Sequence, residues 1–441
     1  MLNMDKKLAQ REAEGKIIRT GLVGAGQMGR GMVSQMVGMK GIMPAIVADI
    51  KIENVINAFH YAGIKDEDIA KTNSLEEANK FMEMGKYVAT ENADLISTAN
   101  LVECAIDVTG VPEIGVRIAT DALNNKKHVV MMDVETDVVI GPWLKKLGDK
   151  NGVIYTGSAG DEPGAVMEIY CFAKAMGMQV RVMGKGKNNK LDYACNPDTV
   201  LEEATRRKMS PRMLCAFKDG TKTMVEMTAM SNATGLVPDV IGGHGPATAP
   251  GTEGIKELNT IFRLKEDGGI LNKHGVVEYV NGIAPGVFVT VATDNEEIAY
   301  QMQYHSMGPG PLWTLYRPYH LCNLETPLTV AKLVIDHEPT IIPLDGPVSE
   351  CITVAKVDLK AGQTIDGIGG FTTYGSIATA EETYKKGYVI YGLVNKKAKM
   401  LRDVKKGQLL TLEDVALDTS TQLYKTRKEQ DAMYNNGYAL K

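Results

Sequence analysis

Three glycines at a fixed spacing near the N-terminus are the residues of this chain with the clearest chemical use. Gly24, Gly26 and Gly29 form a Gly-x-Gly-x-x-Gly turn, and Asp49 follows twenty residues after the last of them. Glycine permits the tight turn, the close approach of a pyrophosphate and close packing of helix on strand. A helix N-terminus binds phosphate, and an acid at Asp49 can accept both ribose hydroxyls of an adenosine. The pattern predicts a dinucleotide site; a chance glycine-rich turn is the alternative.

The elements around this turn must be a strand, a helix and a second strand. Apolar runs predict strands over residues 17–23 and 45–49, with a helix over 28–37 between them. Because a carboxylate repels the 2′-phosphate of NADP, Asp49 favours NAD. Lys51 could partly offset that repulsion, so NADP stays open. The residues predicted to contact the cofactor are Gly24, Gly26, Gln27, Met28, Gly29, Asp49, Thr109 and Gly110.

A group of carboxylates follows the last predicted strand of this region. Residues 157–168 contain Asp161, Glu162 and Glu168 around Pro163, which suits the first turn of a helix. Two or three carboxylates with waters would suit Mg²⁺ or Mn²⁺, or could bind substrate hydroxyls. The alternative is a helix cap with an exposed glutamate. The six scattered cysteines include no Cys-x-x-Cys pair, and nothing resembles a zinc site.

Two lysines between glycines form a further candidate site. Lys185 and Lys187 lie in residues 184–190, which are rich in glycine and asparagine and which we expect to be a loop. The lysines could bind a phosphate or carboxylate, or one could donate a proton to a carbonyl. The second role requires burial or a neighbouring cation to lower its pKa. A solvated charged turn is the alternative.

Three more polar residues complete the predicted site. Asn232 could donate its amide to a substrate oxygen, and Arg317, three residues before His320, could bind an anion bidentately. By contrast, Asp219-Gly220 is typical of a structural hairpin turn. The residues predicted to act on the substrate are Lys185, Lys187, Asp161, Glu162, Asn232, Arg317 and His320, and the tentative metal ligands are Asp161, Glu162 and Glu168.

The order of apolar runs predicts an α/β protein of several domains. Residues 1–156 alternate strands and helices, as in a doubly wound parallel sheet of the Rossmann type. Residues 157–345, rich in glycine and proline loops, are expected to form an α+β catalytic domain. Residues 346–441 are expected to form a small β-rich domain followed by a polar tail that could be a loosely docked helix.

Composition excludes several functional classes. The 441 residues are 44% hydrophobic and 23% charged, with a net charge of -5 and no long basic run. Nucleic acid and anionic membranes are therefore unexpected partners. No apolar run reaches a membrane span, and the charged N-terminus lacks a signal sequence. Reduced cysteines suit the cytoplasm, where we expect a homodimer or a higher homo-oligomer.

Taken together, these motifs resemble the 1-deoxy-D-xylulose 5-phosphate reductoisomerase-like family, whose members are homologues of homoserine dehydrogenase. The motifs that carry the resemblance are residues 24–29, 160–163, 184–189, 222–227, 232–239 and 317–321. The resemblance implies a Rossmann domain, a homoserine-dehydrogenase-like catalytic domain and a C-terminal SAF-like domain, the last through residues 358–362 and 403–415. It also implies NADPH and arginines after the second strand, where this chain has Asp49.

The sequence predicts a broad function and, within it, a narrower alternative. The broader one is an NAD(P)-dependent oxidoreductase that transfers hydride to or from a carbonyl or hydroxyl of a small, polar, anionic substrate, such as a sugar phosphate, sugar acid or hydroxy acid. The narrower alternative is a reductoisomerase-type activity in isoprenoid precursor synthesis. A non-catalytic nucleotide-binding sensor is the competing class.

Overall fold

The chain divides into two units, each built from two separate stretches of sequence. The first contains Met1–Gly164 and Leu321–Ile342, and the second contains Ala165–His320 and Pro343–Lys441. The computed structural model describes residues 3–434, 437, 438 and 440. Residues 321–342, assigned from the sequence to the catalytic domain, group with the first unit. The domain boundaries after residues 156 and 345 stay predictions.

The regular elements are named here in chain order. The strands are β1 (Ile18–Val23), β2 (Ile42–Ala48), β3 (Ile69–Lys71), β4 (Tyr87–Thr90), β5 (Cys104–Asp107), β6 (His128–Met131), β7 (Tyr155–Gly157), β8 (Gln179–Lys187), β9 (Val237–Pro238), β10 (Val276–Asn281), β11 (Val287–Ala292), β12 (Trp313–Arg317), β13 (Ser349–Ala355), β14 (Thr373–Thr379), β15 (Lys399–Met400) and β16 (Val415–Ala416). The helices are α1 (Met4–Ala13), α2 (Gln27–Val37), α3 (Ile52–Tyr61), α4 (Leu75–Glu83), α5 (Asp94–Thr98), α6 (Pro112–Asn124), α7 (Val134–Asn151), α8 (Glu162–Ala175), α9 (Leu201–Arg206), α10 (Pro211–Lys218), α11 (Thr221–Thr234), α12 (Gly251–Ile261), α13 (Glu296–Tyr304), α14 (Cys322–Asp336), α15 (Ala380–Lys386) and α16 (Gln422–Tyr434).

The first unit is a seven-stranded parallel sheet in the order β3-β4-β2-β1-β5-β6-β7. This order confirms the predicted doubly wound α/β fold, because the strands run outward from β1 in both directions. One buried apolar cluster joins β1, α2 and α3 to the returning helix α14 through residues such as Leu22, Met32, Phe59 and Val330. The strands predicted over residues 17–23 and 45–49 are both present, with ends shifted by up to three residues. The short β3 lies in a polar stretch that the sequence did not identify as a strand.

The second unit is built on a mixed five-stranded sheet in the order β12-β11-β8-β10-β9. Its central strand β8 includes Lys185 and Lys187, so the prediction of a loop at 184–190 is wrong over most of its length. The glycines there serve close strand contacts: a Cβ on Gly184 would lie 1.9 Å from the Glu278 carbonyl oxygen. Gly184 and Gly186 allow close packing within the sheet, whereas the sequence pattern was interpreted as a turn.

The faces of this sheet carry different kinds of side chain. Val182 and Phe288 pack with Leu258 of α12 in a buried apolar cluster. Lys185, an odd number of residues from Val182 along β8, instead contacts Glu226 of α11. Because side chains alternate across a strand, one face holds the apolar core and the other holds buried charges.

The C-terminal stretch is β-rich and firmly anchored to its own unit. β13 pairs with β14 along its full length, and β15 pairs with β16. On α16, the buried Arg427 guanidinium contacts both oxygens of Glu350, at 3.1 and 2.7 Å, and Asp431 at 2.9 Å. The polar tail does form a helix, but the expectation of loose docking is wrong. Among the described residues, no helix has the length and apolarity needed to cross a membrane.

Candidate active site

Each glycine of the N-terminal turn has a separate structural reason. Gly24 has a φ of +105°, which favours glycine, and a Cβ on Gly29 would lie 1.8 Å from the Gly24 carbonyl oxygen. A Cβ on Gly26 would meet nothing within 4 Å, so this glycine faces open space. Gly26, Gln27 and Met28 are exposed, and α2 starts there without a side-chain cap. The turn therefore leaves helix N-terminal amides free for a pyrophosphate.

Asp49 lies beside this turn and is already fixed in place. Its Oδ2 accepts a hydrogen bond from the Ala25 amide at 2.8 Å, while its Oδ1 accepts from Lys51 N and Asn54 Nδ2, each at 3.0 Å. The side chain is partly exposed, and Oδ2 keeps a second lone pair, whereas the two hydrogen bonds to Oδ1 occupy both of its lone pairs. The acid fits its predicted role as a ribose acceptor.

The ends of β5 and β6 bring buried acids to the same sheet edge. Thr109 N donates to Asp107 Oδ1 at 3.1 Å, whereas Asp107 Oδ2 has no hydrogen-bond partner among the described residues. Burial raises the pKa of Asp107 to about 6. Burial, with Glu135 and Asp107 nearby, also raises the pKa of Asp133 well above its usual range. Thr109 and Gly110 are partly or fully exposed, so this edge offers polar groups where the cofactor residues were predicted.

The predicted metal ligands are divided between the two units. In the first unit, Asp161 is buried with Oδ1 3.7 Å from Cys322 Sγ, and Glu162 is half-buried. In the second, exposed Glu168 is paired with Arg317 at 3.3 Å, and the guanidinium lies 4.6 Å from the centre of the Tyr319 ring. A cation beside Glu168 disfavours a metal ion there, so Glu168 does not fit the predicted ligand set. The same pairing gives Arg317 a carboxylate partner within its own unit.

The two lysines of β8 have buried, well-defined surroundings. Lys185 forms an ion pair with Glu226, and both side chains are almost fully buried. Lys187 Nζ donates to the Phe217 carbonyl oxygen at 2.7 Å. Burial and the Lys185 ammonium lower the pKa of Lys187 to about 8, although Glu226 and Asp219 oppose the shift. Neither lysine lies in a solvated turn, so this alternative is excluded.

The remaining predicted site residues have different surroundings. Asn232 is buried, and its Oδ1 accepts from Val348 N at 2.8 Å and Ser349 N at 3.0 Å. Its amide oxygen therefore holds the start of β13, a structural use that the sequence did not indicate. His320 is half-buried.

A shallow groove of about 430 Å³ lies in the second unit away from these lysines. Its walls come from α8, β12 and the loop before β12, and they are Glu168, Ile169, Phe172, Met307, Thr314, Leu315 and Tyr316. The lining is mostly apolar and includes only one ionisable acid. This lining offers few groups for a polar reaction, whereas the buried lysines of β8 are polar candidates.

Comparison with known families decides the class of protein. Residues 160–326 match the model for the catalytic domain of oxidoreductase DRL, which covers less than half of the chain. The matched stretch includes β8 with both lysines, and it follows a dinucleotide-type Rossmann sheet. The chain is an NAD(P)-dependent oxidoreductase. No curated protein matches its sequence.

Solved structures similar to this oxidoreductase are distant. A probable dehydrogenase from Thermotoga maritima is 13% identical, with a TM-score of 0.42 over 73% of this chain and 90% of that one. The scyllo-inositol dehydrogenase from Lactobacillus casei, with bound NAD(H) and scyllo-inositol, is 10% identical, with a TM-score of 0.40 over 74% and 92%. At TM-scores below 0.5, neither carries an argument about the substrate of this oxidoreductase.

Sequence reasoning missed the buried partners of the lysines in this oxidoreductase. Glu226 in α11 neutralises Lys185, and Asp219 forms a 2.8 Å ion pair with Lys356, which directly follows β13. The predicted hairpin at Asp219-Gly220 is wrong, since these residues join α10 to α11. Glu226, the one acid of α11, lies between the apolar Val225 and Met227, which is the sequence signal that pointed to a buried charge.

Proposed function

We propose that the oxidoreductase transfers hydride between a nicotinamide cofactor and a carbonyl or hydroxyl of a small, polar, anionic substrate. Lys187 is the proton donor to the carbonyl oxygen during reduction, and its amine form is the acceptor during oxidation. The observation that carries this proposal is the position of Lys187, which is buried on β8 close to the Lys185 ammonium. Burial and that ammonium lower the pKa of Lys187 to about 8. A group with a pKa near the working pH can both give and take a proton efficiently.

The remaining roles follow from charge and burial. Lys185 donates a hydrogen bond to the substrate anion, and Glu226 keeps its ammonium in a fixed position. The roles of Asp161 and Glu162 as ligands of substrate hydroxyls or of Mg²⁺ or Mn²⁺ stay predictions. The roles in substrate binding stay predictions for Asn232, Arg317 and His320. Asn232 and Arg317 already have the partners described above. The bound cofactor supplies or accepts the hydride.

We further propose that the cofactor is NAD rather than NADP. The Asp49 carboxylate is held by three hydrogen bonds at the edge of the glycine turn, so it cannot easily turn away from an added 2′-phosphate. Gly24, Gly26 and Gly29, with the N-terminus of α2, would bind the pyrophosphate. Thr109 and Gly110 would line the same site.

A reductoisomerase-type activity on a deoxyxylulose phosphate is the second candidate. It rests on the resemblance of motifs such as residues 184–189 and 222–227 to that family, whereas the family match at residues 160–326 supports an oxidoreductase without naming its reaction. Both candidates require Lys187 and differ in whether the carbon skeleton rearranges before reduction. Product analysis by mass spectrometry and NMR separates them. A sensor without chemistry would not need a buried lysine with so low a pKa.

The decisive experiment follows the absorbance of the reduced cofactor with a panel of sugar phosphates, sugar acids and hydroxy acids. Turnover should occur with at least one of them, and Lys187→Met should lower kcat by about 10²–10⁴-fold. Lys190→Met, three residues away and exposed, is the matched control and should leave kcat unchanged. Tight nucleotide binding without any turnover would support the sensor instead.

A further inference from the structure

A lysine of the C-terminal stretch is buried in the middle of the second unit. Lys356 is 1% exposed, and its Nζ donates to Asp219 Oδ2 at 2.8 Å, Cys195 O at 2.9 Å and Gly370 O at 2.8 Å. These three oxygens satisfy all three ammonium protons. Although burial disfavours its charged form, Asp219 raises the pKa of Lys356. The pair is therefore ionised and fully desolvated.

Asp219 in turn fixes the short connection between α10 and α11. Its Oδ1 accepts from Thr221 N at 3.0 Å, and its own amide donates to Cys215 O at 2.8 Å. Two residues earlier, the Phe217 carbonyl oxygen accepts a hydrogen bond from Lys187 Nζ at 2.7 Å. The backbone group that holds Lys187 thus lies at the end of α10, directly before the turn that Lys356 holds through Asp219.

The charges that act on Lys187 come from every element packed around it. Lys185 on β8 disfavours its ammonium, whereas Glu226 on α11, Asp219 in the turn and the Cys195 thiol favour it. Lys356 neutralises the Asp219 charge at a distance of 2.8 Å. A change in either member of that pair would therefore alter the field at Lys187, and in opposite directions.

We propose that Lys356 and Asp219 are a positioning pair for Lys187, through which the C-terminal stretch completes the catalytic site. The pair holds the Phe217 carbonyl against Lys187 and keeps the local charge balanced. The catalytic meaning of this inference rests on the proposed role of Lys187. The physical coupling does not, and it can be measured without any substrate.

A metal site is the competing use of this cluster. Cys195, Cys215 and Asp219 have ligand atoms close enough together to hold an ion. However, Lys356 Nζ lies against the same groups, 3.5 Å from Cys215 Sγ. An ammonium there supplies the positive charge that a metal would bring, so we assign the cluster to Lys356.

The test compares Asp219→Asn with Lys356→Met, each of similar size to the original residue but uncharged. The readout is the side-chain ¹⁵N resonance of Lys187 against pH, in full-length protein labelled with ¹⁵N-lysine and assigned with Lys187→Arg. Asp219→Asn leaves Lys356 positive and should lower the titration midpoint of Lys187 by about 0.5–1 pH unit. Lys356→Met leaves Asp219 negative and should raise it by a similar amount. Shifts in the same direction, or none, would overturn the proposal.

The matched control is Lys218→Met, which removes the neighbouring and more exposed ion pair with Glu203. It should leave the Lys187 midpoint unchanged. If a single variant fails to fold, Asp219→Asn/Lys356→Met decides, because it leaves no unpaired buried charge. A roughly 10-fold loss of kcat with an unchanged nucleotide Kd supports the positioning role. Unchanged kcat in the double variant contradicts it.

The two proposals can fail separately. If Lys187→Met keeps wild-type turnover, Lys187 is not the proton donor, yet the opposite midpoint shifts still establish its coupling to the pair. If the midpoints do not move, the pair is structural only, while Lys187 can still be the donor.

Discussion

The two units present ligand-binding groups of opposite character. In the first, the glycine turn and the start of α2 offer exposed backbone, and Gly26 faces open space. In the second, Lys185, Lys187 and Glu226 are buried, and their charges depend on one another. The first kind of site requires side chains to be absent, whereas the second requires particular charges. Substitutions that enlarge a side chain should therefore impair the glycine turn, and substitutions that change a charge should impair the buried lysines.

The largest effect is expected where a buried charge loses its partner. Lys185→Met removes one member of the buried ion pair with Glu226, which is 1% exposed, and such a removal costs about 3–5 kcal/mol of the free energy of unfolding. Denaturant titration of the variant measures this loss. Lys185→Met combined with Glu226→Gln should recover most of it, because no unpaired charge remains. An equal loss in the single and double variants would show that packing, not charge, matters at this position.

A smaller and more selective effect is expected in the glycine turn. Gly29→Ala would place a Cβ 1.8 Å from a backbone oxygen, so it should lower the free energy of unfolding by more than about 1 kcal/mol. Gly26→Ala meets no atom and should keep wild-type stability, but it should weaken nucleotide binding by about 10-fold or more. Thermal unfolding and fluorescence titration measure the two quantities. Unchanged nucleotide affinity in Gly26→Ala would show that the pyrophosphate does not bind at this turn.

The smallest effect is expected at Asp49. Asp49→Ser removes the repulsion against a 2′-phosphate and should shift the ratio of NADP to NAD affinity by about 10-fold. Titration of both nucleotides with wild-type and variant protein checks this. Asp66→Ser, at an exposed position beyond α3, is the control and should leave the ratio unchanged. If wild-type protein binds NADPH as tightly as NADH, the proposed preference for NAD is wrong.

The first unit was largely predictable because its signals are local. Gly24, Gly26 and Gly29 have conformational and packing requirements that the sequence spacing alone reveals, and apolar runs located the strands β1 and β2 on either side of them. The exception is the return of α14 to the first unit, where Val330 packs in its core. That contact joins residues some 300 positions apart, and no local pattern indicates it.

The second unit was less predictable because its site depends on distant partners. The glycines around Lys185 and Lys187 indicated a loop, whereas they permit close contacts within a central strand. The sequence singled out the lysines as candidates, but their environment depends on Glu226, Asp219 and Lys356, which are remote in sequence. Glu168 and Arg317 were predicted for separate roles, and the structure pairs them with each other.

The most direct test of the account is the pH dependence of kcat/KM for the wild type and for Lys187→Met, measured in both reaction directions with a substrate from the panel. Reduction needs the Lys187 ammonium, so its rate should fall as pH rises through about 8. Oxidation needs the free amine, so its rate should rise through the same pH. Lys187→Met should lower both rates and abolish both transitions. Rates that do not change between pH 7 and pH 9, or identical profiles in wild type and variant, would contradict the assignment of Lys187 as the proton donor.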